Sequence, residues 1–154
     1  MEHLHYYYAP LVLGKINKAL KHGGILILTT PNIASLFRRL RLLLGIQPTY
    51  HYHVREYTMR EVVSLLREAG FEITKAYYST VNDLTLIDAD PEDYLGISSF
   101  KDLLRIALKK PTKLNTLRLL AYLIVKIRPC LRQLIVAVAT KAREPTVEAL
   151  ERWG

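Results

Sequence analysis

The sequence predicts an α/β fold, because strand-like and helical segments alternate along residues 1–79. The apolar run Gly24 to Thr30 (GILILTT) is too short for a helix and is bounded by a second glycine and by Pro31. Another strand-like run, Phe71 to Ser79, follows a helical segment. Continuous apolar runs are typical of strands that are buried on both faces, so we expect a parallel sheet.

One helix is predicted before the first strand and one after it. Leu11 to Leu20 places its apolar side chains on one helical face, and Gly23-Gly24 supplies the stop. Ile33 to Leu44 carries three arginines and ends before Gly45 and Pro48. Thr29, Thr30, Pro31 and Asn32 therefore lie at the carboxyl end of a strand, which is where ligands bind in open α/β sheets.

A third helix is predicted over residues 59–69. Thr58 is its N-cap, and Glu61 completes a Thr-x-x-Glu capping box. Val62, Leu65, Leu66 and Ala69 form its buried stripe, and Gly70 ends it.

The net charge of +8 is concentrated in one segment of the chain. Residues 98–132 contain nine basic side chains against one acidic side chain, and the rest of the chain is balanced. We expect two helices in this basic segment, followed by a buried strand over Leu134 to Thr140. An acidic loop precedes it and contains Asp83, Asp88, Asp90, Glu92 and Asp93.

The length and the cysteine content limit the classes of protein. With 154 residues, half of them hydrophobic, one domain with a real core is expected. The single cysteine, Cys130, excludes an intramolecular disulfide and a cysteine-based zinc site, and it fits the reducing cytoplasm. The first residues, MEHLHYYYAP, do not have the pattern of a secretory signal.

Three stretches together resemble the second half of a class I S-adenosylmethionine-dependent methyltransferase. They are Glu2-His3-Leu4, LGKINKALKHGGILILTTPN and HVREYTMREVVSLLREAGFEI, with His22 in place of the family's usual proline. The resemblance covers residues 1–79, and Leu134 to Lys141 is a candidate for the family's seventh strand. It implies an incomplete Rossmann-like sheet made of the last three strands, with a basic helical insertion.

The domain boundaries that follow from this resemblance are residues 1–82 and 133–143 for the methyltransferase half, 83–132 for the acidic loop and helical insertion, and 144–154 for a tail. The family binds S-adenosylmethionine mainly through a glycine-rich loop after its first strand. No G-x-G-x-x-G pattern occurs among these 154 residues. We therefore expect the chain to be inactive by itself.

The resemblance also implies roles for individual residues. Glu2 and His3 match the position that faces the cofactor and that, in some quinone-precursor methyltransferases, holds a divalent metal; we assign no metal here. The alternative for both residues is a disordered terminus. His53 is the candidate catalytic base, since imidazole titrates near neutral pH.

Four residues are assigned to the acceptor substrate. Arg55 and Tyr57 match the family's loop over the acceptor pocket, and Pro31 and Asn32 lie at the strand end. The structural alternatives are an ordinary Pro-Asn turn, ordinary loop contacts of Arg55 and Glu56, and a His53 that only makes a structural hydrogen bond. Methyl transfer to oxygen can also proceed largely by positioning, without a base.

Three interpretations of the basic segment remain open. It can lie on an anionic membrane surface, which would suit a lipid-like acceptor, because cations surround its apolar residues. It can bind nucleic acid, with Tyr50, Tyr52 and Tyr57 as stacking groups near Arg55, although no binding motif supports this. It can also be a helical pair packed on the sheet with solvated lysines. Leu117 to Ile127 is too short and too charged to span a bilayer.

The sequence therefore predicts methyl transfer from S-adenosylmethionine to a small or lipid-linked acceptor in the cytoplasm, with peripheral membrane contact as an addition. The alternative is a non-catalytic interaction module that binds a protein partner or an anionic membrane through residues 98–132. The apolar strand Ile25 to Thr30 is expected to lie at a sheet edge, where a second copy or a partner strand would pair with it.

Overall fold

A computed structural model describes residues 1–5, 8–49, 51–81, 83–85 and 99–145. Within these residues the chain forms five α-helices and three β-strands. The helices are α1 (Tyr8–Ala19), α2 (Leu36–Leu43), α3 (Met59–Glu68), α4 (Phe100–Lys109) and α5 (Lys113–Ile127). The strands are β1 (Ile25–Pro31), β2 (Phe71–Ser79) and β3 (Leu134–Lys141), and short 3₁₀ turns cover Asp83–Thr85 and Pro129–Leu131.

The three strands form one sheet in the order β1-β3-β2, so β3 is the central strand. The start of β1 lies beside the end of β3, because the Lys141 amide donates to the Gly24 carbonyl over 2.8 Å. The start of β2 also lies beside the end of β3, where the Gly70 carbonyl accepts from the Ala142 and Arg143 amides. The strand β3 is therefore antiparallel to both neighbours, and the predicted parallel sheet is wrong.

Strand β1 is also less buried than the sequence predicts. Ile25 and Ile27 are 63% and 66% exposed, whereas Leu26 and Leu28 on the opposite face are partly buried. An apolar run predicts a strand but does not say how many of its faces are covered. In the sheet described here, β1 is an edge strand with β3 as its neighbour.

The chain divides into two compact units. The sheet unit comprises Met1–Ile33, Thr49–Tyr77 and Ile135–Gly154, and the helical unit comprises Ala34–Pro48 and Tyr78–Leu134. The sequence placed α2 with the methyltransferase half, whereas the structure groups it with α4 and α5. Most of the predicted acidic loop and most of the tail, residues 86–98 and 146–154, lie outside the described residues.

In the sheet unit, helices α1 and α3 pack together and bury one apolar stripe each. Leu13 of α1 and Leu66 of α3 are essentially inaccessible to solvent, as is Ile135 of the central strand. In the helical unit, Ala121 and Val125 of α5 form a small core with Leu36, Tyr122 and Leu131. Each unit thus has its own buried apolar contacts.

The helical unit also contains a buried ion pair. Arg132 Nε lies 3.0 Å from Asp83 Oδ2, and the Arg132 guanidinium donates a second contact to the Tyr78 carbonyl. Burial raises the pKa of Asp83 above its ordinary value, although Arg132 and Lys126 act in the opposite direction. The pair ties the 3₁₀ turn after β2 to the segment before β3.

The capping box at the start of α3 is confirmed. Thr58 Oγ1 accepts from the Glu61 amide, and the Glu61 carboxylate accepts from the Thr58 amide over 2.8 Å. Partial burial raises the pKa of Glu61, but hydrogen bonds from Thr58 and Arg55 outweigh it and hold the pKa below the ordinary 4.5. The ionised carboxylate is therefore stabilised by the folded chain.

We expect Thr58→Ala to lower the free energy of unfolding by about 1 kcal/mol near neutral pH, because α3 loses its N-cap. Thr58→Ser keeps the hydroxyl and should retain most of the stability. The pKa of Glu61 is lowered on folding, so its contribution is present above the ordinary pKa of 4.5 and is lost as pH falls through the folded value. Urea unfolding at several pH values measures both effects. An equal loss of unfolding free energy in Thr58→Ala and Thr58→Ser would contradict the role of the Thr58 hydroxyl as the cap.

Candidate functional site

Polar side chains from three parts of the sheet unit meet at the carboxyl end of β1. Thr30 Oγ1, near the end of the strand, donates to Glu2 Oε2 over 3.3 Å. The Glu2 carbonyl accepts from the amides of Val54 and Arg55 at 2.8 and 3.2 Å. These bonds hold the first residues of the chain between β1 and the loop that precedes α3.

The two predicted histidines are neighbours in this arrangement. The rings of His3 and His53 pack edge to face with their centroids 5.1 Å apart, and His3 Nδ1 lies 3.2 Å from the Tyr52 carbonyl. His53 Nδ1 lies 2.8 Å from Oε1 of Glu56, whose side chain is fully buried. We call Glu2, His3, Thr30, His53 and Glu56 the polar cluster.

Glu56 fixes the orientation of the His53 ring. The short contact engages Nδ1, so a role of His53 as a base or as a ligand falls to Nε2. A buried carboxylate behind an imidazole also fixes the tautomer and the orientation of the ring. Glu56 received no functional role from the sequence, although its position three residues after His53 was the available signal.

Glu2 is the charged member of the cluster that faces partly into solvent. Partial burial raises its pKa, but hydrogen bonds from its own backbone amide and Thr30, together with the nearby terminal ammonium, lower the pKa below 4.5. The carboxylate is therefore ionised at neutral pH. An ionised carboxylate beside two imidazoles can accept hydrogen bonds from hydroxyl groups and can attract a cationic group.

The cluster also has the composition of a cation site. One ligand atom each from Glu2, His3 and His53 lies within 4.8 Å of the others. Imidazole nitrogen and carboxylate oxygen are the ligands that zinc accepts, and catalytic zinc sites typically have three protein ligands. No metal was predicted from the sequence, and only the structure brings these three ligand atoms together.

Of the four residues assigned to the acceptor, two lie at the end of β1 and two lie in the loop before α3. Pro31 ends β1, and Asn32 forms a parallel bridge with Tyr57, so the strand end and the loop before α3 are directly linked. Asn32 and Tyr57 are almost completely buried, which makes them part of the framework under the cluster. Arg55 instead contacts Glu61 Oε1 at 2.6 Å and stacks over the Tyr57 ring.

The structure thus brings together Glu2, His3 and His53, and it joins Asn32 to Tyr57. Arg55 instead contacts Glu61, which belongs to the capping box of α3. Thr30 and Glu56 were not assigned roles from the sequence, yet each makes a direct contact within the cluster. No model of a known protein family matches this chain, and no curated protein matches it.

Proposed function

We propose that this chain forms the carboxyl-terminal side of an S-adenosylmethionine-dependent methyltransferase that acts on a small or lipid-linked acceptor. The observation that carries the proposal is the sheet order β1-β3-β2 with a reversed central strand. The resemblance identified β1, β2 and β3 as the family's fifth, sixth and seventh strands. In that fold the last strand runs against the others and lies between the fifth and sixth, which is the arrangement seen here.

The position of the polar cluster supports the same proposal. The cluster lies at the carboxyl end of β1, the place where open α/β sheets bind ligands. Glu2 and His3 reach this end through the bonds to Thr30 and to the loop before α3. Residues that the resemblance assigns to the cofactor and to the acceptor are therefore neighbours, as a transfer reaction requires.

The residues present fit the cofactor on one side only. The ionised Glu2 carboxylate and the adjacent imidazoles suit ribose hydroxyls and a sulfonium cation. The glycine-rich loop that would hold the rest of the cofactor has no counterpart in the sequence. When bound, S-adenosylmethionine supplies an electrophilic methyl group, and this chain contributes positioning and the His53 imidazole held by Glu56.

Calorimetric titration with S-adenosylhomocysteine tests this function. We expect no measurable heat with the 154-residue chain and, if the reading frame continues upstream, binding by a polypeptide that adds those residues. In the longer polypeptide, Glu2→Ala should weaken binding roughly tenfold, since it removes a charged hydrogen-bond acceptor. Glu68→Ala, an exposed carboxylate at the end of α3, is the matched control. Absence of binding heat with both polypeptides would contradict the proposal.

A second function, docking of residues 98–132 on an anionic membrane, is favoured by the surface of α4 and α5. Leu108, Leu120 and Ile127 are more than half exposed, and the segment carries nine basic side chains against one acidic side chain. Apolar side chains surrounded by cations are typical of helices that lie on anionic bilayers. No helix among the described residues has the length and apolarity needed to cross a bilayer.

Co-sedimentation of the full chain with anionic vesicles tests this second function. Binding should be strong at low salt and weaker at high salt, because salt screens the attraction between lysines and lipid phosphates. Vesicles of neutral lipid are the control. Failure to sediment at low salt would remove membrane docking as a function of this segment.

A further inference from the structure

An apolar groove runs between α2 and α5 of the helical unit. Its volume is about 570 Å³, within the range of sites that bind small molecules. Leucines and isoleucine at helical spacing form its walls, namely Leu36, Leu40 and Leu44 on one side and Leu117, Leu120 and Ile124 on the other. Arg41 also lines the groove and stacks on the Phe37 ring, which borders it as well.

The sequence of α5 explains why a groove is present at this place. Positions 117, 120, 121 and 124 lie on one face of the helix, and alanine occupies position 121. Ala121 and Val125 are buried, so the small alanine side chain leaves space between the larger residues around it. The groove therefore results from the small side chain of Ala121 among larger apolar residues.

Many apolar side chains around this groove project into solvent. Leu43 and Leu44 at the end of α2 are 82% and 74% exposed, and Leu120 of α5 is 52% exposed. Further exposed apolar residues on α5 are Leu114, Leu117, Leu123, Ile124 and Ile127. An exposed apolar surface of this extent marks an interaction site.

The charge around the groove is strongly positive. The described residues of the helical unit contain twelve basic side chains and two acidic ones, Asp83 and Asp102. Lys113 lies on the groove side of α5 by helical spacing, four residues before Leu117, and Arg128 follows the end of the helix. The occupant of the groove should therefore combine an apolar chain with an anionic group.

We propose that the groove between α2 and α5 receives an acyl chain of an anionic phospholipid bilayer, with the surrounding cations on the lipid phosphates. This proposal rests on the membrane-docking function and deepens it. It adds α2 to the docking surface and identifies the groove as the place where the lipid chain binds. The projecting leucines at the end of α2 enter the bilayer beside the groove. Each lysine or arginine near the surface adds attraction to anionic lipid.

Two other occupants fit the observations less well. A second copy of this chain would bring two strongly basic surfaces together, and like charges oppose such contact. A partner helix fills a groove, whereas the exposed apolar residues of α5 extend over about half of the helix circumference. A bilayer covers the groove and the projecting side chains together.

The test uses the full chain with Cys130→Ser and Leu120→Cys, labelled at position 120 with an environment-sensitive fluorophore. Vesicles of phosphatidylcholine alone are compared with vesicles that also contain phosphatidylglycerol. We expect a blue shift with the anionic vesicles only, and quenching by lipids that carry a quencher in the acyl chain. Leu44→Asp should weaken vesicle binding roughly tenfold or more, since a leucine that enters the bilayer in the proposed complex is replaced by an anion.

Val81→Asp is the matched control, because Val81 is as exposed as Leu44 and does not line the groove. Circular dichroism and the melting temperature show that each variant folds. Sedimentation without a blue shift, and without an effect of Leu44→Asp, would overturn the groove proposal and leave surface docking intact. Absence of sedimentation would overturn both, and a dimer in solution that Leu44→Asp dissociates would assign the groove to a second copy.

Discussion

Gly70→Ala is expected to lower the free energy of unfolding by roughly 2–5 kcal/mol, from backbone strain plus steric overlap. Gly70 has a φ of +87°, which L-residues with a side chain rarely adopt. A Cβ at this position would overlap the Arg143 carbonyl oxygen and lie 3.0 Å from Asn17 Nδ2. The Gly70 carbonyl also accepts from the residues after β3, so the substitution strains the junction of α3, β2 and β3.

Gly23→Ala is the matched control for this substitution. Gly23 has a similar φ of +76°, but a Cβ there would meet no atom within 4 Å. Its cost should be limited to the backbone strain, about 1 kcal/mol. Chemical unfolding of the unsubstituted chain and of both variants separates the cost of backbone strain from the cost of steric overlap. Equal losses in the two variants would contradict the close approach of Arg143 to Gly70.

Ile135→Ala is expected to cost about 2–5 kcal/mol, because it leaves a cavity in the most buried strand. Ile135 is inaccessible to solvent, and β3 lies between β1 and β2. Ile27→Ala removes the same atoms from β1, where the side chain is 66% exposed. The surrounding water already covers much of Ile27, so its loss should be well below that of Ile135.

Thermal and urea unfolding of these two variants tests the order of the sheet. A larger loss from Ile27→Ala than from Ile135→Ala would contradict a central β3. It would instead favour the arrangement expected from the sequence, in which the first strand is buried on both faces.

The helices and strands could be predicted largely from local signals. Thr58 with Glu61 marked the start of α3, and the glycines at 23, 45 and 70 marked the turns, each with positive φ in the structure. The direction of the strands could not be read in this way. GILILTT is apolar at every position before its threonines, and such a run fits a parallel or an antiparallel neighbour equally well.

The candidate site was predictable only in part. Thr30 and Asn32 could be placed at a strand end from the run that precedes them, but the contact of Glu2 with Thr30 joins residues that are 28 positions apart. Sequence spacing does not indicate such contacts. The resemblance assigned Glu2 and His3 to the cofactor and His53 to the catalytic base, and only the structure places the three side chains together. The groove between α2 and α5 was missed because the two helices are separated by residues 44–112 along the chain.

The central claim is that the polar cluster at the end of β1 faces S-adenosylmethionine. An NMR titration of the isotope-labelled chain with S-adenosylhomocysteine tests it most directly, because chemical shifts detect the millimolar affinity expected of half a site. Homocysteine alone is the control. The account predicts amide shifts at residues 2–4, 30, 32, 33 and 53–57. No shifts at millimolar ligand, or shifts confined to the helical unit, would contradict it.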